Sequence, residues 1–288
     1  MQKARLILLV CLTLFIFSSA SHAQNREVEE IWRTQRDSGK IISESEILEL
    51  FDRQPYFGMF KDNYIITGIP LNKEINGNNA DAKFQISIHQ RITKTILPFN
   101  TFLMLTYTQK SFWSIYKESF PFADNNYSPG LLLGKPVVRN NKLEGMLAFS
   151  FEHESNGKDG IESRSWNYFS ISGVYFFNPN ISVQTKFWAG WYGKENKDLN
   201  KYRGHGLMAF NYKSLNDKFM VSVFINPRKK IGNYNTQLEF NYQLNPKINQ
   251  YLFIQWYNGY GEGLFNYDKY SSMLRIGISI KPPMWNFY

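Results

Sequence analysis

His153 and Ser155 stand two residues apart, and Asn167 follows beyond the glycine- and charge-rich turn segment Asn156-Gly-Lys-Asp-Gly160. Those three types are what acyl transfer requires: a hydroxyl nucleophile, an imidazole to take its proton, and a third group to orient the imidazole. On extended backbone, residues two apart share a face and lie roughly 6.5 to 7 Å apart along the chain, so a histidine ring can lean toward a serine hydroxyl. An asparagine on the neighbouring strand accepts the other ring N–H and fixes the tautomer. A neutral amide suits this position if the wall faces hydrocarbon, because a carboxylate there carries a larger desolvation cost.

Alternation indicates that it does. Leu143, Gly145, Leu147, Phe149 and Phe151 form an apolar face that His153 and Ser155 continue, and after the turn Asn167 shares a face with Phe169, Ile171, Gly173 and Tyr175. The bland alternative is that polar residues near strand ends mark a membrane interface, and on spacing alone both readings stand. Gln109 shares a face with Leu103, Leu105 and Tyr107, where an unpaired amide is costly. It is either an interfacial glutamine or one that pairs with the same residue of a second copy. His89 and His205 are read as interface or lumen residues, and His22 falls in the leader.

The elements that must position these groups are strands. From Asp62 onward the chain reads as short alternating segments separated by Gly, Asn, Asp, Pro and Lys clusters. Twelve are expected, near 62–70, 82–94, 101–112, 129–137, 142–155, 163–176, 179–192, 202–213, 217–226, 233–243, 247–258 and 271–281. In the last, Leu274, Ile276, Ile278 and Ile280 oppose Arg275, Gly277, Ser279 and Lys281. Likewise Phe219, Val221, Val223 and Ile225 oppose Lys218, Met220, Ser222 and Phe224, and Leu238, Phe240 and Tyr242 oppose Gln237, Glu239, Asn241 and Gln243. One face suits lipid and the other a polar lumen. An even number of strands about ten residues long fits a closed barrel with no edge in the bilayer. Pro282-Pro283 should stop the last strand, close to the interfacial aromatics Trp285, Phe287 and Tyr288. The fold class expected is therefore all-β, a twelve-stranded antiparallel transmembrane barrel of the bacterial outer membrane.

Composition agrees with this class. Aromatics make up 17% of the 288 residues, and the mean hydropathy of −0.40 is what alternation of apolar and polar residues produces. Lys3 and Arg5, the apolar run 6–17 and Ser21-His22-Ala23 have the three parts of a secretory signal peptide. The sole cysteine, Cys11, lies inside that run, so the mature chain should hold no disulfide, and bulky Val10 argues against a lipoprotein site there. Beyond residue 23 no apolar run approaches the eighteen or so residues of a membrane helix, so spanning falls to strands. The net charge of +9 becomes +7 without Lys3 and Arg5. It fits attraction to anionic head groups or simply a solvated surface, and nothing calls for nucleic acid. The organisation expected is a signal peptide at 1–23, an extension or mouth-covering segment at 24–61 with helix-compatible stretches 26–36 and 44–53, and a barrel at 62–288 carrying the hairpin 143–176.

The segment His153-Glu-Ser155-Asn-Gly-Lys158 followed by Ser163-Arg-Ser-Trp-Asn167 closely resembles the outer-membrane phospholipase A family. Tyr107-Thr-Gln109-Lys-Ser-Phe-Trp113, Phe120-Pro-Phe122, Asn126-Tyr127, Lys201-Tyr202 and Tyr257-Asn-Gly-Tyr-Gly-Glu-Gly-Leu264 extend the resemblance in order over about 56–280. The resemblance implies a twelve-stranded barrel, a homodimer with Gln109 at its interface, and a calcium-dependent hydrolase of the sn-1 and sn-2 esters of phospholipids and lysophospholipids. It implies Ser155 as nucleophile, His153 as base and Asn167 as orienting partner. It further implies a calcium site of Lys158 through its main-chain carbonyl, Ser163, Ser119 from the second copy, and Glu195, with Asp198 as the other acidic candidate. Lys158 stands where the family has arginine, and Glu195 where it has aspartate. Two other classes remain as competitors: an inactive outer-membrane pore or scaffold, and a hydrolase of lipopolysaccharide acyl chains.

Overall fold

The structure is a computed structural model describing residues 43–282 except 217, 230, 231, 246 and 247. The signal peptide, the stretch 26–36, Pro283 and the aromatics Trp285, Phe287 and Tyr288 lie outside the described residues. A helix α1 (Glu44–Asp52) precedes β1 (Phe57–Met59), β2 (Asn63–Pro70), β3 (Asp81–Arg91), β4 (Phe102–Trp113), β5 (Phe122–Arg139), β6 (Lys142–Ser155), β7 (Ser165–Asn178) and β8 (Ile181–Tyr192). After a short helix α2 (Leu199–Arg203) come β9 (Gly206–Lys213), β10 (Phe219–Pro227), β11 (Tyr234–Gln243), β12 (Tyr251–Gly259) and β13 (Ser271–Ile280).

All neighbours pair antiparallel, and the ring closes because β13 pairs with β2 and β3 with β4. The barrel thus has the twelve strand positions expected. Its first position is broken in two: β1 lies along the end of β3 (Met59 opposite Ile88) and β2 along its start (Tyr64 opposite Gln85). At the break, the main-chain amides of Phe60 and Lys61 donate to the carbonyl and hydroxyl of Ser87, while Asp62 pairs with Lys281 at 2.5 Å.

Loops 71–80, 114–121, 156–164, 193–205 and 260–270 gather at one end. The opposite end includes tight turns, such as Asn140-Asn141, whose positive φ values of 51° and 58° asparagine tolerates in a two-residue hairpin. Long loops on one side and short turns on the other match an outer-membrane barrel with its loops facing out. Among the described residues no helix is long and apolar enough to cross a membrane.

The burial pattern is that of a membrane barrel, apolar outside and polar within. Leu147, Phe149, Phe151, Phe169, Ile171, Leu274, Ile276 and Ile278 are exposed on the outer wall, while Lys83, Arg275, Gln255, Asn241 and Ser279 are buried inside. Two end residues depart from the expected faces: Leu143 and Ile280 are buried. For Leu143, the β5–β6 register shifts between Val137 and Val138, next to its own pairing.

The fourth barrel strand also starts earlier than the expected 129. Asp124-Asn125-Asn126 reads as a turn, yet it is the extended start of β5. Inside the barrel the Asp124 carboxylate accepts from the amide of Phe265 (2.9 Å), and Asn126 accepts from that of Leu264 (3.1 Å). Loop 260–270 therefore satisfies side chains that a sequence pattern assigns to solvent.

The lumen is filled in two layers. At the turn end Phe51 of α1 joins Phe60, Phe102, Leu132, Met146, Ala148 and Val174 in an apolar plug. Ser43 caps α1 by accepting from the Glu46 amide. Asp52 at the other end pairs with Arg91, whose guanidinium also donates to the Phe51 carbonyl (2.9 Å). α1 thus covers that mouth. Above it, Arg275 bridges Asp81 (2.7 Å) and Glu262 (2.6 Å), Lys83 joins Glu262 (3.0 Å) and Gln255 (2.7 Å), and a cavity of about 290 Å³ remains.

Candidate active site

The hairpin β6–β7 runs in continuous register from Gly145 opposite Tyr175 to Ser155 opposite Ser165, which puts His153 directly across from Asn167. Strict alternation then sorts β6: Glu152 and Glu154 are buried toward the lumen, and His153 and Ser155 are half-buried on the outer wall above Phe149 and Phe151.

His153 Nδ1 and Asn167 Oδ1 are 2.9 Å apart. An amide oxygen only accepts, so this contact places the ring proton on Nδ1 and leaves Nε2 with a lone pair. Ser155 follows on the same face, with Tyr127 of β5 as its other register partner. Among the described residues the Ser155 hydroxyl makes no hydrogen bond, so the link from nucleophile to base is not closed here. Such links are commonly long until substrate binds. Continuing the β5–β6 register sets Pro129 opposite His153, and there the ladder lapses between Tyr127 and Gly130. Proline has no N–H to give it.

The turn after Ser155, expected at 156–160, is built by Asn156. Its buried side chain donates to the Glu162 carbonyl (2.8 Å) and accepts from the amides of Arg164 (2.9 Å) and Lys158 (3.3 Å). Gly157 is needed next, at φ 68°, because a Cβ there would meet the Tyr127 ring at 2.9 Å. The Asn156-Gly157 dipeptide, a turn signal, is what the sequence offers for it.

The residues expected at a calcium site fall on three loops of the same end: Ser119 on 114–121, Lys158 and Ser163 on 156–164, and Glu195 on 193–205. Ser119 is exposed in the left-handed conformation, φ 64°. The Lys158 ammonium is drawn to Glu162 (2.9 Å) and over the Phe265 ring (4.1 Å), which leaves its carbonyl as the donor. The turn bearing Glu195 is fastened by buried Asn196, which donates to the Ser165 carbonyl (3.0 Å) and accepts from its amide (3.2 Å). Asp198 accepts from Tyr267 (2.5 Å) and lies 3.6 Å from Lys201, whereas Glu195 is exposed and has no hydrogen-bond partner among the described residues. Hard oxygen donors of this kind fit calcium in type but fall short of its usual six to eight within one chain. Among the described residues there is no cluster of three or more carboxylate, imidazole or thiol groups.

Gln109 faces outward in the same row as Ser155, since it pairs with Tyr127 and Tyr127 pairs with Ser155. Two strand spacings put it roughly 10 Å away. Its amide is not bare: Tyr107 donates to it at 3.3 Å, and it donates to Ser111 at 3.2 Å. His89 bonds the Met59 carbonyl (3.1 Å) and helps hold β1, away from the site.

Comparison with known proteins agrees with the fold. The family model described as Phospholipase A1 matches residues 60–280. Phospholipase A1 of Escherichia coli K12 is 29% identical over 93% of this chain and 96% of its own, and that of Proteus vulgaris is 29% identical over 90% and 92%. Outer membrane phospholipase A from E. coli superposes with a TM-score of 0.70 at 25% identity, covering 79% of this chain and 95% of that one. The calcium-bound dimer of Salmonella typhi outer membrane phospholipase gives 0.71 at 25%, covering 85% and 99%. A further E. coli structure, TM-score 0.68 at 26% identity, carries an asparagine-to-alanine change in its active site. With the matched segment spanning most of the sequence and every barrel strand from β2 to β13, this chain belongs to the phospholipase A1 family.

Proposed function

We propose that this protein is an outer-membrane phospholipase that cleaves phospholipid acyl esters with Ser155 as nucleophile, His153 as base and Asn167 as the group that orients the base. The observation carrying this reading is the 2.9 Å contact of His153 with Asn167 on the lipid-facing wall, one side-chain alternation from Ser155. An ester lying at the outer interface meets the Ser155 hydroxyl. His153 Nε2 takes the hydroxyl proton as Oγ attacks the carbonyl and later returns it to the leaving alcohol, after which water, deprotonated by the same nitrogen, releases the fatty acid. Asn167 keeps the ring from flipping and stabilises the imidazolium through its oxygen. Its neutrality suits a wall where no second charge is neutralised.

The Ser163 hydroxyl, the Lys158 carbonyl and the Glu195 carboxylate would hold calcium, which when bound would supply positive charge to stabilise the developing oxyanion. One chain provides too few donors, and Ser119 of a second copy completes the set in a side-by-side dimer with Gln109 at its seam. Support comes from the hard-oxygen character of these groups, their shared end of the barrel, and the related calcium-bound dimer. The freedom of Glu195 and the engagement of Asp198 with Tyr267 favour Glu195 as the acidic member. The filled lumen argues against a passive pore. Residues 1–23 as a leader and α1 as a cover on the inner mouth complete the reading.

The decisive measurement is fatty-acid release from defined phospholipids by wild type and Ser155→Ala across a calcium titration, with cross-linking to follow dimerisation. Calcium-stimulated release that Ser155→Ala abolishes is expected. Equal rates from monomeric, chelator-stripped protein would sink the dimer and calcium parts, release by Ser155→Ala would sink the triad, and preferential release from lipopolysaccharide would reassign the substrate.

A further inference from the structure

The loop that bears Glu195 is tied to the hairpin of Ser155 at both of its ends. At the near end Asn196, 1% exposed, grips Ser165 through two hydrogen bonds, and the Gly193 amide adds a third to the Ser165 carbonyl (2.7 Å). At the far end Arg203, the last residue of α2, reaches into the lumen and donates to Glu154 at 2.5 Å. Glu154 is the residue between His153 and Ser155. The same carboxylate oxygen accepts from the indole of Trp166 (2.8 Å), which sits between Ser165 and Asn167 and stacks on Tyr168 at 3.9 Å. Arg203 Nε also donates to the Gly261 carbonyl (3.0 Å), and Asn226 donates to the Arg203 carbonyl (2.7 Å).

We infer that Arg203 and Asn196 are positioning residues that set the distance between the 193–203 loop and the catalytic hairpin, and thereby tune calcium affinity without taking part in ester cleavage. This rests on the phospholipase reading above. The physical argument is one of geometry. A carboxylate on an exposed turn binds a cation well only if the turn is held at a fixed place relative to the other donors, and here the turn has two anchors, Ser165 at the start of β7, two residues from Ser163, and Glu154 of β6, next to Ser155. Asn196 and Glu154, one partner in each anchor, are buried, so water competes weakly for their bonds. Glu152 supplies an internal control. It makes the same kind of buried pair one alternation along β6, but with Lys186 of β8 (2.6 Å), which is not part of the loop.

The test uses the full chain refolded in detergent, comparing wild type with Arg203→Ala, Asn196→Ala and Lys186→Ala, each first shown to fold by its gel mobility before and after heating. Calcium binding is measured by titration calorimetry and as the half-saturating concentration for hydrolysis, and Ser155 accessibility by the rate of sulfonyl fluoride labelling in chelator. Arg203→Ala and Asn196→Ala should weaken calcium binding by at least about tenfold, as loss of groups that orient metal ligands commonly does. Turnover at saturating calcium and labelling in chelator should stay at the wild-type level. Lys186→Ala should leave calcium affinity unchanged. Wild-type affinity in a folded Arg203→Ala or Asn196→Ala protein overturns the inference, and so does an equal loss in Lys186→Ala, which would make the effect a general loosening. If Arg203→Ala does not fold, Asn196→Ala alone decides. A Ser155→Ala protein run alongside separates the cases: if it is inactive while the loop variants bind calcium normally, only this inference fails.

Discussion

On β6, Glu152 and Glu154 point into the barrel while His153 and Ser155 point out of it, and the two faces obey opposite rules. Inside, both carboxylates of this strand are engaged: Glu152 accepts from Tyr168, Ser170 and Lys186, and Glu154 from Trp166 and Arg203. Outside, His153 has one ring nitrogen engaged and the other open, and the Ser155 hydroxyl has no partner among the described residues. The inner face uses its hydrogen-bonding capacity in fixing strand register, and the outer face leaves some unused. A single residue's slip along β6 would exchange the two sets, so the register keeps the two faces apart.

Separating the faces experimentally is the way to test that division. Ser155→Ala should have the largest effect, a fall in kcat of at least about 10⁴-fold, as when a triad nucleophile is removed, with folding intact; fatty-acid release and heat-dependent gel mobility report the two. Lys186→Ala does the reverse. It strands Glu152 in the lumen and should destabilise the barrel by about 3–5 kcal/mol while kcat holds, read from urea unfolding in micelles and from the same assay. Equal damage to activity would show that the faces are not independent.

Loop 260–270 gives a pH-dependent version. Burial opposes ionisation of Glu262, but Arg275 and Lys83 outweigh it and hold the carboxyl down to about 2. Because the folded value lies below the unfolded one, the stabilisation is complete above the unfolded value of 4.5 and disappears as pH falls toward about 2. It should amount to something on the order of 3 kcal/mol, visible as a steeper acid loss of stability in wild type than in Glu262→Gln. The smallest change is expected from Asn167→Ala, about tenfold in kcat, the rate equivalent of one neutral hydrogen bond. Asn167→Asp, which restores the acceptor but adds a charge at the lipid wall, sharpens the same comparison.

Much of the barrel was legible because a strand's side chains alternate with period two, and lipid on one side and a polar lumen on the other impose opposite chemistry on the alternate residues. The outward placement of His153, Ser155 and Asn167 follows from that rule alone. β5 was misread at its start because Asp124 and Asn126 find their partners in loop 260–270, about 140 residues away. For Gln109 the pattern leaves open an interfacial glutamine or one that pairs with a second copy, and within one chain Tyr107 and Ser111 on its own strand supply partners, an arrangement that depends on side-chain conformation.

The amino-acid sequence by itself determined the architecture, the lipid-facing row of reactive groups and the family, since these rest on local periodicity and on short contiguous motifs. Only the tertiary structure decided that His153 meets Asn167 in register, that Asp198 is taken by Tyr267 while Glu195 stays open, and that Asp81 finds Arg275 194 residues along the chain. Those outcomes depend on which segments closure of the ring brings together, and no local pattern carries that information.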